Sequence, residues 1–172
     1  VFPAAAYIEM AMQTMKEKNL NDSHLLSSFS FKERLILEEG MPTSIQTVLT
    51  ANETEGFRFG VYSQSNIEDD WVLHATANLV QNEIEGHEKM SLSVSFEELK
   101  KQCTAEQTAN DFYTSLEKRG ILYGQTFQGV EHVWSKDAEA LGSIRLAETL
   151  KFDSDQFQIH PSMLDGCLQI IA

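Results

Sequence analysis

The sequence predicts an α+β protein in which antiparallel sheets hold unusually buried helices, and three observations carry that prediction. The stretch from Pro3 to Met15 is apolar on nearly every side (Tyr7, Ile8, Met10, Ala11, Met12, Met15). Runs that alternate apolar and polar residues follow it, with Phe57, Phe59 and Val61 interleaved with Arg58, Gly60 and Tyr62. A helix-compatible segment and further strand-like runs then recur in the second half.

Each element has a local reason. Pro3 suits the first turn of a helix, and Ala4-Ala5-Ala6 continues it with strong helix formers. A helix lying on a surface would show a polar stripe, so this one is expected to be largely buried. Lys16-Glu17-Lys18 and residues 19–23 return the chain to solvent. Leu35-Ile36-Leu37 reads as a short apolar strand. Ile45 to Ala51 and Phe57 to Ser63 read as two strands of a hairpin closed by residues 52–56. Trp71, Leu73, Ala75, Ala77 and Leu79 keep a period of two, so one face of the sheet is expected to be buried.

The charged stretch Glu83 to Lys89 reads as an exposed connection. Beyond it, Thr104 with Gln107 fits a capping box, and Ala109, Phe112, Tyr113 and Leu116 share one helical face. Gly120 after Lys118-Arg119 suits the helix C-terminus. Strand-like runs return at Val130 to Trp134 and Ala140 to Leu146, joined near Lys136-Asp137, and Leu164 to Ala172 is a last helix-compatible stretch. Each half thus pairs strands with a buried helix. A sheet wrapped around a central apolar helix is the hotdog arrangement, and two such units explain the layout. The expected boundaries are residues 1–82 for the first unit, 83–110 for the connection and the start of a helix, and 111–172 for the second.

Composition narrows the function. With 26 acidic and 13 basic residues the formal charge is −13. Such a surface repels phosphate backbones and anionic lipid, which argues against nucleic acid and membrane partners. Cys103 and Cys167 stand far apart in no metal-binding pattern, as expected of reduced thiols in a cytoplasm. The histidines show no metal-ligand spacing.

The chemistry concentrates in His160-Pro161-Ser162-Met163-Leu164-Asp165-Gly166-Cys167-Leu168-Gln169. Asp165 and Gln169 are four apart and lie on one helical face, where an amide can orient a carboxyl group. Apolar neighbours are expected to raise the Asp165 pKa by desolvation, keeping it protonated as a general acid. The plainer alternative is a helix cap. His160 reads as a structural residue leading into the helix, and Cys167 as a small buried helix residue.

This segment resembles the HPxxLDxxxQ motif of polyketide synthase dehydratases. Gly120-Ile121-Leu122-Tyr123-Gly124-Gln125-Thr126-Phe127-Gln128-Gly129 resembles the family's GYxYGPxFQG segment, with Ile121 in place of a tyrosine and Gln125 in place of the proline. Val1 to Ala11 resembles the end of HxxxGxxxxP and the helix after it, and Trp71 to Ala75 resembles a strand of the family's first hotdog. The histidine of that motif stands nine residues before the proline, a position that falls before Val1. The complete domain is therefore expected to extend beyond both ends of the sequence, and residues 1–172 alone are expected to be inactive and poorly folded.

The resemblance implies an incomplete double hotdog that dehydrates a β-hydroxyacyl thioester on the phosphopantetheine of an acyl carrier protein, within a cytoplasmic multidomain synthase of secondary metabolites such as antibiotics. Asp165 would be the acid, Gln169 its support, and Tyr123 and His160 supporting residues. Phe127 and Leu164 would line an apolar substrate tunnel. Tyr123 has a plainer role as a buried tyrosine framing a turn. No metal or diffusible cofactor is implied, because the thioester already acidifies the α-carbon. Neighbouring synthase domains, the carrier protein and a homodimer are the implied partners. Two rivals keep the fold: a double-bond isomerase or cyclase, and a silent module used for dimerisation or carrier docking.

Overall fold

The structure, a computed structural model, describes residues 1–21, 23–52, 56–66, 68–82 and 94–171. The chain forms two compact units, Val1–Gly86 and His87–Ala172.

Among its described residues the first unit holds one helix and one sheet. Helix α1 spans Ala4–Glu17, with Pro3 as its N-cap. No residue from Phe2 to Met15 is exposed, and Ala5, Tyr7, Glu9, Ala11 and Met15 are buried. Strands β1 (His24–Phe31), β2 (Ser44–Ala51), β3 (Phe57–Gln64) and β4 (Val72–Gln81) make an antiparallel sheet in the order β1-β4-β3-β2. Tyr7, Ala11 and Met15 of α1 pack with Phe59, Val61, Ala75, Ala77 and Leu79 of the sheet to form a hydrophobic core.

Two expectations change here. The run Leu35-Ile36-Leu37 is not a strand. Leu35 is buried in the core, and its carbonyl accepts the Phe2 N–H at 2.8 Å. The sheet instead has β1 at His24–Phe31. Its pairing with β4 takes one extra residue between Ser27 and Ser30, with Ser28 at φ 52°. Such a bulge breaks the alternation by which a strand is recognised. The regular face expected from Trp71 to Leu79 is also interrupted. Val61 opposes Ala75 and Tyr62 opposes Leu73, so His74 is skipped in the backbone register with β3. The phase shifts there: residues 74–77 are all buried, while Trp71 is 43% exposed.

His74 lies parallel to the Tyr7 ring. Its Nδ1 is 3.0 Å from the Glu33 carbonyl, which can only accept, so Nδ1 carries the hydrogen. Nε2 of the neutral ring then accepts from the Ser63 hydroxyl at 2.6 Å. Both ring nitrogens are used, which makes His74 a satisfied core histidine.

The second unit holds helices α2 (Phe96–Gln102), α3 (Ala109–Lys118) and α4 (Pro161–Gln169), with strands β5 (Ala105–Thr108), β6 (Val130–Lys136) and β7 (Glu139–Ile144) in the antiparallel order β5-β6-β7. The expected capping box at Thr104 and Gln107 is absent, because Ala105–Thr108 is spent on β5. Thr108 caps α3 by accepting the Asp111 N–H, and the true box lies one element earlier, at Ser95 and Glu98 before α2. Gly120 ends α3 as expected, at φ 82°. Asp137 makes the β6–β7 turn at φ 52°. Phe112 and Leu116 of α3 and Val130 and Val133 of β6 form the core, with Tyr113, Tyr123, Ile144 and Ile170 packed against it.

Helix α4 lies close on β7. A Cβ at Gly166 would come within 2.9 Å of Ile144 Cγ2, and one at Gly142 would land on Ile170 Cδ1. Two glycines thus set the approach of the helix that carries Asp165 and Gln169. The connection expected at Glu83 to Lys89 lies outside the described residues.

Candidate active site

Helix α4 begins at the His-Pro pair. His160 is the N-cap: its Nδ1 accepts the Ser162 N–H at 3.2 Å, and Pro161 needs no partner at the first helical position. Since Nδ1 accepts, the hydrogen of the neutral ring sits on Nε2, 3.8 Å from Asp153 Oδ1. His160 therefore starts and anchors the helix, and its ring is committed to that task.

One turn on, Asp165 is half-buried and Gln169 is only 2% exposed. Gln169 Nε2 donates to Asp165 Oδ2 at 2.7 Å and to the Phe127 carbonyl at 3.0 Å. Gln169 Oε1 accepts from the Tyr113 hydroxyl at 3.0 Å, and Tyr113 Oη accepts the Val130 N–H at 2.9 Å. The spacing of four places Asp165 and Gln169 together; α3, the loop before β6 and β6 itself supply the rest. Asp165 Oδ1 makes no hydrogen bond among the described residues. Such a carboxyl group is held by one oxygen and presents the other.

Burial pushes the Tyr113 phenol above the usual tyrosine range, and the nearby Tyr123 and Asp165 add to this, although the Val130 N–H works against it. Burial, then Asp165, push Tyr123 up in the same way. Both tyrosines thus keep their hydroxyl hydrogens through the neutral range, and Tyr113 is available as a donor.

The remaining site residues are distributed as follows. Tyr123 is half-buried, its ring edge-on to Tyr113 with centroids 6.2 Å apart. Both line a cleft of about 320 Å³ with Asn110, Glu117, Leu122 and Gln128. Phe127 joins the site through its carbonyl, while its side chain and that of Leu164 are half-buried. Cys167 is exposed on α4, contrary to its expected burial, because the buried side of this helix is taken by Ser162, Gly166 and Gln169. Tyr113 was not among the residues singled out from the sequence. Its place in an i, i+3, i+4, i+7 apolar pattern marks it as core, and only the need of a buried phenol for a partner hints at more.

The other histidines have local roles. His24 Nδ1 lies 2.8 Å from the Ser23 hydroxyl, and His132 stacks on Trp134 and pairs with Glu106 at 3.3 Å. His87 lies outside the described residues. Among the described residues no group of three or more His, Cys, Asp or Glu is placed to hold a metal ion, and no helix is long and apolar enough to cross a membrane.

Residues 91–172 match the family model for the polyketide synthase dehydratase N-terminal domain, and residues 1–64 match that for the polyketide synthase dehydratase domain. The chain belongs to the polyketide synthase dehydratase family. Among curated relatives it is 26% identical to the phenolphthiocerol synthesis polyketide synthase type I Pks15/1 of Mycobacterium marinum, over 99% of this chain and 8% of that protein. It is 28% identical to polyketide synthase GfsE of Streptomyces halstedii, over 99% of this chain and 4% of that protein. Among solved structures, the dehydratase domain from the CurK module of curacin polyketide synthase superposes with a TM-score of 0.83 at 27% identity, covering 98% of this chain and 58% of that one. The domain from the CurF module gives 0.86 at 26%, covering 98% and 60%. The fold class is that of these double-hotdog dehydratase domains, of which the chain spans less than two thirds, and the relatives are multidomain polyketide synthases.

Proposed function

We propose that this chain supplies the acid half of a dehydratase that removes water from a β-hydroxyacyl thioester carried on the phosphopantetheine arm of an acyl carrier protein. The observation that carries the reading is the state of Asp165: Oδ2 is held by a fully engaged amide, and Oδ1 is left open. In the reaction a base takes the α-proton, the Cα–Cβ double bond forms, and the Cβ–O bond breaks. The Asp165 carboxyl group delivers its proton to the departing hydroxyl, which leaves as water. The carboxylate that remains is stabilised by the Gln169 N–H, a bond that strengthens as charge develops. The base in this reading is a histidine nine residues before Pro3. Return of the α-proton from base to acid through solvent closes the cycle, so no oxidant or reductant is consumed.

Support also comes from a similar domain. CurK dehydratase is inactive when a histidine is changed to phenylalanine and when an aspartate is changed to asparagine. Tyr123, Phe127 and Leu164 are assigned to the substrate path, which an acyl chain on a long arm requires to be apolar.

The test is product analysis with the intact synthase. Incubation with a β-hydroxyacyl carrier protein should give the α,β-unsaturated thioester, seen as the loss of one water by mass spectrometry. A shifted double bond from an unsaturated substrate without any dehydration would favour an isomerase. No turnover of either would leave a silent module.

A further inference from the structure

We propose that Tyr113 is a positioning residue: its hydroxyl fixes which way the Gln169 amide faces, and so which oxygen of Asp165 carries the acidic proton. This role deepens the acid assignment of Asp165 and rests on it.

The geometry is a matter of donors and acceptors. A primary amide has two N–H donors and one acceptor oxygen. Both hydrogens of Gln169 Nε2 are directed to groups that accept, the Phe127 carbonyl and Asp165 Oδ2. Oε1 faces Tyr113. Because the Val130 N–H already donates to Tyr113 Oη, the phenol's own hydrogen is free to point at Gln169. The Phe127 carbonyl is a longer alternative at 3.4 Å, and it already accepts from Gln169. The chain Val130 to Tyr113 to Gln169 to Asp165 therefore runs in one direction. Its last member accepts at Oδ2, so a protonated Asp165 carries its hydrogen on Oδ1, the open oxygen.

Without the hydroxyl that direction is lost. A buried Oε1 with no donor is costly, and the amide can escape by turning over. The turned amide presents Oε1 to both Asp165 and the Phe127 carbonyl; the contact with Phe127 is unfavourable, and the one with Asp165 is relieved only if Asp165 points its proton inward, toward Gln169. The acid would then be protonated but aimed away from the leaving group. A tyrosine that merely filled space would exert no such control.

The experiment measures dehydration kinetics in the intact synthase with wild type, Asp165→Asn, Tyr113→Phe, Gln169→Leu and the Tyr113→Phe/Gln169→Leu pair. Tyr113→Phe should lower kcat roughly 10- to 100-fold, part of the ~10²–10⁴-fold that a positioned acid supplies, with KM changed less than about twofold. In the Gln169→Leu background the same change should cost less than about twofold more, because the tyrosine acts through the amide. Should Tyr113→Phe fail to fold, 3-fluorotyrosine at position 113 keeps both hydrogen bonds and alters the donor. Its effect on kcat should appear with Gln169 present and vanish with Gln169→Leu. Unchanged kcat in Tyr113→Phe, or losses that simply multiply, would overturn the role of Tyr113 while leaving an inactive Asp165→Asn in place. Near-full turnover by Asp165→Asn would remove the acid and the positioning role together.

Discussion

Replacing Gly142 by alanine tests how closely α4 must lie on β7. Gly142 sits in β7 opposite Val133, and its added Cβ would clash with Ile170 Cδ1 and come within 2.9 Å of Ile170 Cγ1. The next contact, the His132 carbonyl at 3.7 Å, is ordinary, so the whole conflict is with one side chain. Ile170 is half-buried against the core of Phe112, Leu116, Val130 and Val133, and it directly follows Gln169. It cannot swing clear without leaving that contact or moving the end of the site helix. Overpacking of this kind costs about 1–3 kcal/mol, and alanine regains roughly 0.5–1 kcal/mol over glycine in a strand. The net loss is then centred on about 1 kcal/mol, which should speed amide exchange in α4 and β7 by roughly fivefold. Ile170→Val deletes the atom on which the new methyl lands and alone costs about 0.5–1.5 kcal/mol. Hydrogen exchange with mass spectrometry in the intact protein reads all three variants. The double variant should be less perturbed than the sum of its parts. Wild-type exchange in Gly142→Ala, or strictly additive losses, would refute this packing.

Two further predictions follow from bonds that the sequence pattern does not display. His160→Ala removes the N-cap of α4 and should cost about 1 kcal/mol, seen as roughly fivefold faster exchange of the first-turn amides. His160→Asn, which keeps a capping oxygen, should remain near wild type in the same measurement. His74→Phe leaves the Ser63 hydroxyl buried without its partner and should lower stability by about 1–3 kcal/mol. Adding Ser63→Ala should recover part of that loss, measured by exchange protection across β3 and β4.

Helix α1 was legible from its apolar run and the β2–β3 hairpin from strands that pair without a break, while the β6–β7 pair was legible from its apolar runs on either side of Lys136-Asp137 despite a register shift between Val130 and His132. Strand β1 was not, because the extra residue between Ser27 and Ser30 turns its alternation over midway. The burial of His74 does not follow from the period of two for the same reason, since the phase of β4 changes at that residue. Two capping signals competed in the second unit. The box that forms is Ser95 with Glu98; the apparent one at Thr104 gives way to pairing of β5 with β6. The site was legible where it is local. His160, Asp165 and Gln169 share one short helix, and spacing alone relates them. Tyr113 and Val130 join through hydrogen bonds that cross 56 and 17 positions of sequence, and no local pattern announces those. The same holds for the Phe127 carbonyl, since a backbone acceptor has no residue type to read.

The central claim is that Asp165 protonates the leaving hydroxyl, and Asp165→Asn in the intact synthase tests it most directly. Asparagine matches the aspartate in shape, so carrier-bound substrate should still bind. It has no carboxylic proton to give. Dehydration of the β-hydroxyacyl carrier protein, followed as the loss of one water, should fall by ~10²–10⁴-fold. Gln169→Leu should fall by less, since it leaves the proton in place and removes only its support. Turnover near the wild-type rate by a folded Asp165→Asn protein would contradict the account and reduce Asp165 to a structural member of α4.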